Sequence, residues 1–277
     1  PRPVSSAASD VYKRQEYLVG QTAHTYLFEG GGAAVFGSIQ PQSLDQEEDG
    51  TLALDKLAAL VKPDDFHFAR TKLLCLENTT WGKALPLDYL KLVQSFASDY
   101  QLSLHLDGAR LFNASAASGV PAVQLAKPFE SVSICLSKGL GAPVGSVLVA
   151  SASFIKEAKR WRKMLGGGMR QSGRVAAAGI YVLENHIDRL IEDHVNARQL
   201  GESLAGISKL KVDPIQTNMV FVDLSEFDVA AVSRSLEAKG IKIGGYTGGK
   251  QRLVTHLGIS AKDIRYVVKG FEEACAG

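Results

Sequence analysis

The sequence predicts an α/β fold: a mostly parallel sheet with flanking helices, followed by a small C-terminal α+β domain. Three observations carry that prediction. Short apolar runs alternate with helical patterns between residues 73 and 149. Two of those runs stop at ionisable residues, Asp107 and Lys138, where open sheets meet their ligands. Beyond the Gly166-Gly167-Gly168 run the pattern changes to helical stripes and then to short strand–helix units.

The elements follow in order. Leu73-Leu74-Cys75-Leu76 reads as a buried strand ending in Glu77-Asn78. Residues 86–100 carry Leu87, Leu90, Val93 and Phe96 at helical spacing, with Pro86 in the first turn. A strand over 102–106 ends at Asp107-Gly108, and 109–117 reads as a helix. Strands are expected over 132–136, before Ser137-Lys138-Gly139, and over 145–149. Residues 169–206 read as mostly helical, with Ile180, Val182, Leu183, Ile187, Leu190 and Val195 forming a core stripe. Then come a strand over 218–223, a helix over 229–239 stopped by Gly240, a strand over 252–255 and a helix over 261–274. Residues 1–15 are small, polar and aperiodic, and read as a non-native or disordered head. The large domain is placed at 16–189 and the small one at 190–277.

Composition narrows the function classes. With 277 residues, 45% of them hydrophobic and 22% charged, the chain can bury a substantial core and is neither disordered nor fibrous as a whole. The net charge of +2 is too small to point to nucleic acid or an anionic membrane as partner. No apolar run reaches membrane-spanning length. Cys75, Cys135 and Cys275 have no CxxC or histidine spacing, so no metal site is expected, and free thiols in a reducing cytoplasm are the reading.

Lys138 and Asp107 are the residues that suggest chemistry. A lysine between an apolar strand and a glycine-rich turn is an odd structural choice, because lysine is seldom buried without a partner. A lysine partly withdrawn from water gives up its proton more readily and becomes nucleophilic enough to form a Schiff base. A carboxylate facing the same crevice can hold a pyridinium nitrogen protonated and so make the ring a better electron sink. Residue by residue, exposed-loop and helix-capping roles remain open for this pair. The same holds for His24 and His67, which have helix-start and core readings. Trp81 and Trp161 are assigned to packing.

Six segments in order, AHTYLFEGGGAAVFGSIQPQ (23–42), DDFHFARTKLLCLENT (64–79), HLDGARLFNA (105–114), SICLSKGLGAPVGSVL (133–148), RWRKMLGGGMRQSG (160–173) and RLVTHL (252–257), resemble the threonine aldolases, and among them the bacterial low-specificity group. The resemblance implies the fold-type-I architecture of pyridoxal-phosphate-dependent transferases and pyridoxal 5'-phosphate as cofactor. It implies aldol cleavage of L-threonine, L-allo-threonine and related β-hydroxy-α-amino acids to glycine and an aldehyde. Carried over, Lys138 is the cofactor-bonding lysine, Asp107 the partner of the pyridine nitrogen, and His24 the histidine stacked on the ring. His67 is a second active-site histidine. Arg110 reaches cofactor or substrate, and Arg252 grips the substrate carboxylate. Lys163 and Arg170 are further basic positions near phosphate or substrate, often presented to a neighbouring subunit. The base for the β-hydroxyl is His24, His67 or a water between them. A β-eliminating lyase of the same fold is the alternative. A small amino-acid substrate, a homo-oligomer (dimer or tetramer) and a cytoplasmic location complete the expectation.

Two departures from the family pattern accompany it. The family places a phosphate-binding loop upstream of the segment beginning at Glu16, so the chain is expected to be a fragment with poor cofactor binding and little activity when expressed alone. In ENTTWGK (77–83), Thr80 stands where the family commonly has histidine, and Trp81 where it has a small or polar residue.

Overall fold

The computed structural model describes residues 15–245 and 250–276. The expected head at 1–15 therefore lies outside the described residues, apart from Gln15, which opens the first strand. In chain order the first unit contains β1 (Gln15–Gly20), α1 (His24–Leu27), α2 (Gly32–Gly37), β2 (Ile39–Leu44), α3 (Leu54–Leu60), β3 (Arg70–Glu77), α4 (Leu87–Asp99), β4 (Ser103–Asp107), α5 (Leu111–Ser118), α6 (Ala122–Ala126), β5 (Ser131–Cys135) and β6 (Ser146–Ala150). There follow α7 (Ala152–Met164), α8 (Gly173–Asn185), α9 (Leu190–Ala205), β7 (Lys211–Val212), β8 (Met219–Asp223), α10 (Val229–Glu237), β9 (Gly244–Gly245), β10 (Lys250–Val254) and α11 (Ala261–Cys275).

The larger sheet has the order β2-β1-β3-β4-β5-β6. Its pairings are parallel from β2 to β5, and β6 closes the edge antiparallel to β5. Strands of a parallel sheet are covered on both faces, so they read as continuous apolar runs. One face of this sheet, with Leu18, Leu74, Leu76, Leu104, Leu106 and Val132, packs on Leu57 of α3, Leu90 and Phe96 of α4 and Leu111 of α5. The opposite face carries Tyr17, Val19 and Cys75 under Ala23. The smaller sheet, β7-β8-β10-β9, is antiparallel. Its Val220, Val222 and Leu253 pack against Leu200 and Leu204 of α9, Val232 and Leu236 of α10 and Phe271 of α11. α9 also touches the first unit, since Leu190 packs with Leu136 and Leu140.

Local chemistry sets the element ends. Pro86 stands at the N-cap of α4 with ψ 139°, one place before the first turn the sequence predicted. The helix expected from residue 109 starts at Leu111 instead, because the Asp107 carboxylate accepts the Ala109 N–H and holds 107–110 as a turn. Gly240, at φ 73°, takes the left-handed conformation just past α10. α11 opens with a capping box between Ser260 and Asp263.

Candidate active site

Parallel strands bring their carboxyl ends to one edge, and here that edge is ionic. In the β3–β4 register Glu77 lies opposite Asp107, and in β4–β5 Asp107 lies opposite Ser133. The turn after β4 is tied to β5 by Gly108, whose N–H donates to Ser133 O at 2.7 Å. A Cβ on Gly108 would sit 2.9 Å from that carbonyl, so the close approach requires glycine. The turn after β5 carries Lys138. Its carbonyl accepts the Gly141 N–H at 2.9 Å, and His186 Nδ1 lies 2.6 Å from Leu140 O.

These turns enclose a cavity of about 480 Å³ lined by His24, Phe28, Glu77, Thr79, Trp81, Asp107, Ala109, Arg110, Lys138, Met219 and Arg252. Its charges are coupled. Burial pushes the Glu77 carboxyl up to about 7; the His24 backbone N–H, which donates to Glu77 Oε2 at 2.8 Å, opposes that rise, Asp107 adds to it, and Lys138 and Arg110 also oppose it. Burial likewise brings Arg110 down to about 10, with Arg252 nearby acting in the same direction and Glu77 against it. Arg110 therefore stays charged at neutral pH, and two guanidinium groups face one small space. That is a seat for a carboxylate.

Of the residues singled out from sequence, Lys138, Asp107, His24, Arg110 and Arg252 come together in this cavity, although they are scattered over more than two hundred residues of chain. His67, Lys163 and Arg170 do not line it. His67 is exposed on the loop before β3, where its Nδ1 lies 2.7 Å from Asp65 Oδ1 and its backbone N–H donates to the same oxygen. That side-chain turn faces His67 to solvent and holds the Asp65 carboxyl below its ordinary value. Lys163 lies in the last turn of α7, a helix with no buried residue, and Arg170 follows that helix, exposed.

Sequence reasoning missed Glu77, Phe28, Thr79, Trp81 and Met219 as cavity residues. Glu77 left a readable signal, since it ends an apolar strand just as Asp107 does. Thr80, by contrast, is buried with its hydroxyl donating to Glu77 O at 2.7 Å, so it points into its own turn and not into the cavity.

The residues present fit pyridoxal phosphate. A primary amine at Lys138 and a carboxylate at Asp107 face the same cavity, as an aldehyde and a protonated ring nitrogen require. Two polar atoms of cavity residues, Thr79 Oγ1 and Arg110 Nε, are buried with no hydrogen-bond partner among the described residues. A polar ligand would satisfy both.

Comparison with known proteins agrees with this geometry. Residues 6–227 match the β-eliminating lyase family. The chain is 53% identical over 255 residues to the low specificity L-threonine aldolase of Escherichia coli K12, covering 91% of this chain and 75% of that protein. It is 41% identical over 268 residues to a probable low-specificity L-threonine aldolase of Arabidopsis thaliana, covering 93% and 76%. Among solved structures, a putative L-allo-threonine aldolase from Listeria monocytogenes superposes with a TM-score of 0.76 at 22% identity, over 96% of this chain and 77% of that one. A Leishmania major threonine aldolase gives 0.78 at 17% identity, over 94% and 78%. At those identities the structural matches speak for the fold.

Proposed function

The chain belongs to the low-specificity threonine aldolase family within the β-eliminating lyases, and on that premise we propose that its ionic cavity is where threonine and related β-hydroxy-α-amino acids are cleaved to glycine and an aldehyde. The observation that carries this reading is the convergence of Lys138, Asp107, His24, Arg110 and Arg252 on one cavity at the carboxyl edge of the sheet.

Lys138 and Asp107 are the residues that hold the cofactor, with His24 beside them. Pyridoxal phosphate, when bound, supplies an electron sink for the pair left on Cα as the Cα–Cβ bond breaks. Arg252 and Arg110 would clamp the substrate carboxylate by charge-assisted hydrogen bonds, and so fix the orientation of the bonds at Cα. His24 takes the proton of the β-hydroxyl; its Nδ1 is 2.8 Å from Glu29 Oε1, which orients the ring and leaves Nε2 for the substrate. His67 lies exposed beside Asp65, outside the cavity of its own chain. Lys163 and Arg170 are assigned to a neighbouring subunit's site in a homo-oligomer. Exposed apolar side chains on β6, α7 and α8, among them Val149, Phe154, Trp161 and Tyr181, support that assembly. A cytoplasmic location belongs to the same reading and rests on the free thiols of Cys75, Cys135 and Cys275.

The test is product identity together with covalent labelling. In the full-length protein, threonine and pyridoxal phosphate should give glycine and acetaldehyde, and borohydride should fix the cofactor to the peptide containing Lys138. Ammonia and a keto acid in place of glycine would assign the cavity to β-elimination.

A further inference from the structure

α1 carries His24 to the cavity, yet α1 itself is weakly held. It is a single short turn with no buried residue. Ala23, at its N-cap, is buried with Tyr17, Val19 and Cys75, but it has no side-chain oxygen to accept the first-turn N–H groups. The Tyr17 hydroxyl donates to Thr25 O at 3.4 Å, a long bond. The His24 ring lies 2.8 Å from Glu29, and both of these side chains are more than half exposed. A pair so open to water turns the ring but adds little to fixing the backbone that carries it.

The missing cap comes from another strand. The His24 N–H donates to Glu77 Oε2 at 2.8 Å, and Glu77 ends β3, which lies inside the sheet between β1 and β4. That end of β3 is firmly placed. Leu76 and Asn78 on either side of Glu77 are buried, Glu77 is in register with Asp107, and the Asn78 N–H donates to Asp107 O at 2.9 Å. The bond to Glu77 thus ties an exposed turn to a fixed point of the sheet.

We propose that Glu77 is a positioning residue for His24: its side-chain oxygen caps the His24 N–H and so holds the imidazole where it can take the proton of the substrate's β-hydroxyl. The inference rests on the aldolase reading of the cavity, with His24 as its base. The role requires reach, not charge. Burial pushes the Glu77 carboxyl up to about 7, so both of its forms are present near neutral pH, and either can accept an N–H through an unprotonated oxygen. A side chain of equal length with a neutral acceptor should therefore serve, and a shorter or acceptor-free one should not.

The experiment uses the full-length protein and three substitutions. Glu77→Gln keeps the reach and removes the charge. Glu77→Asp keeps the charge and loses one methylene of reach. Glu77→Leu fills the space without an acceptor, and repeats the test should Glu77→Asp fail to fold in a thermal melt. With threonine as substrate, Glu77→Gln should hold kcat within about threefold of wild type. Glu77→Asp and Glu77→Leu should lower kcat about 10–100-fold, the effect of misplacing a catalytic group by about 1 Å. KM should change little, because the carboxylate seat of Arg110 and Arg252 remains. A residue acting through His24 has no effect once His24 is gone, so Glu77→Asp added to His24→Asn should cost less than about threefold more. Amide exchange at His24, followed by NMR with histidine-selective isotope labelling, reads the anchor without turnover. It should be about tenfold faster or more in Glu77→Asp and Glu77→Leu than in the wild type and Glu77→Gln. Wild-type kcat in Glu77→Asp and Glu77→Leu, a Glu77→Gln protein as impaired as they are, or a full further loss on top of His24→Asn overturns the proposal. The expected exchange pattern with no glycine from the wild type would support the anchor and sink the aldolase reading instead.

Discussion

The backbone N–H of His24 donates to Glu77 Oε2 at 2.8 Å, joining the first turn of α1 to the end of β3 across 53 residues. This bond sets His24 and the buried carboxyl of the cavity in one fixed relation. It also gives Glu77 a titration that stability measurements can see. Burial holds its folded value near 7 against an ordinary 4.5, with Asp107 on the same side and the His24 N–H, Lys138 and Arg110 opposing. Between those pH values the folded protein keeps a proton that the unfolded chain has lost. The Glu77 contribution is therefore full below about 4.5 and is lost as pH rises through 7. Glu77→Gln keeps an acceptor for His24 and removes the titration. The wild type should lose about 1–3 kcal/mol more than this variant between pH 5 and pH 8 in urea melts. Parallel pH profiles would show that the carboxyl does not titrate in that range.

His24 and His67 should separate cleanly. His24 lines the cavity, whereas His67 is exposed and tied to Asp65. His24→Asn should cut kcat by about 10²–10⁴-fold, the usual weight of a positioned general base. His67→Asn should leave kcat within roughly threefold, as expected of a side chain with no place in the transition state. A comparable loss in both variants would bring the loop of His67 into the site.

In the proposed role, Asp107 acts on the charge that develops as the bond breaks, not on the binding of substrate. Asp107→Asn should therefore lower kcat by several orders of magnitude with little change in KM. The substitution keeps an acceptor for the Ala109 N–H, which the Asp107 carboxylate takes at 3.0 Å, so the turn after β4 should hold. A change confined to KM would make Asp107 a substrate contact.

Strands β3, β4 and β5 were legible because each is a short apolar run broken by an ionisable residue and a turn, and so were the positions of Asp107 and Lys138 at their ends. What could not be read was adjacency. Glu77 enters the site because β3 pairs with β4 in the register that sets it opposite Asp107, and nothing within either segment specifies that register. β2 escaped notice for a local reason: IQPQSL contains Pro41 and lacks clean alternation, both tolerated because β2 lies at the sheet edge. His67 was carried over from the resemblance of DDFHFARTKLLCLENT (64–79) to the family. The direction of that loop is set by the turn on Asp65, which periodicity does not register. Trp81 was assigned to packing, and its edge-to-face contacts with Phe28 and Phe221 depend on partners 53 and 140 residues away.

The position of Lys138 depends on a contact behind it. A side chain on Gly139 would meet Asn113 Oδ1 at 2.7 Å and Leu190 Cδ2 at 3.0 Å, so the lysine turn lies directly on α5 and on the start of α9. Asn113 is itself held there. It is buried, and its Nδ2 lies 3.1 Å from Nε2 of His194, a buried imidazole whose burial lowers its pKa and favours the neutral, accepting ring. Gly139→Ala should cost about 1–3 kcal/mol through overpacking. Asn113→Ala should cost a similar 1–3 kcal/mol, because His194 loses its hydrogen bond in a dry site. Asn113→Ala also makes room for the new methyl group, so the double variant should be more stable than the sum of the two losses by about 0.5–3 kcal/mol. Chemical denaturation of the four proteins measures that coupling. Borohydride trapping of pyridoxal phosphate on Lys138 reads the turn directly, and should slow in Gly139→Ala and recover in the double variant. Strict additivity in stability, with no recovery of trapping, would mean that the turn is positioned by something other than Asn113.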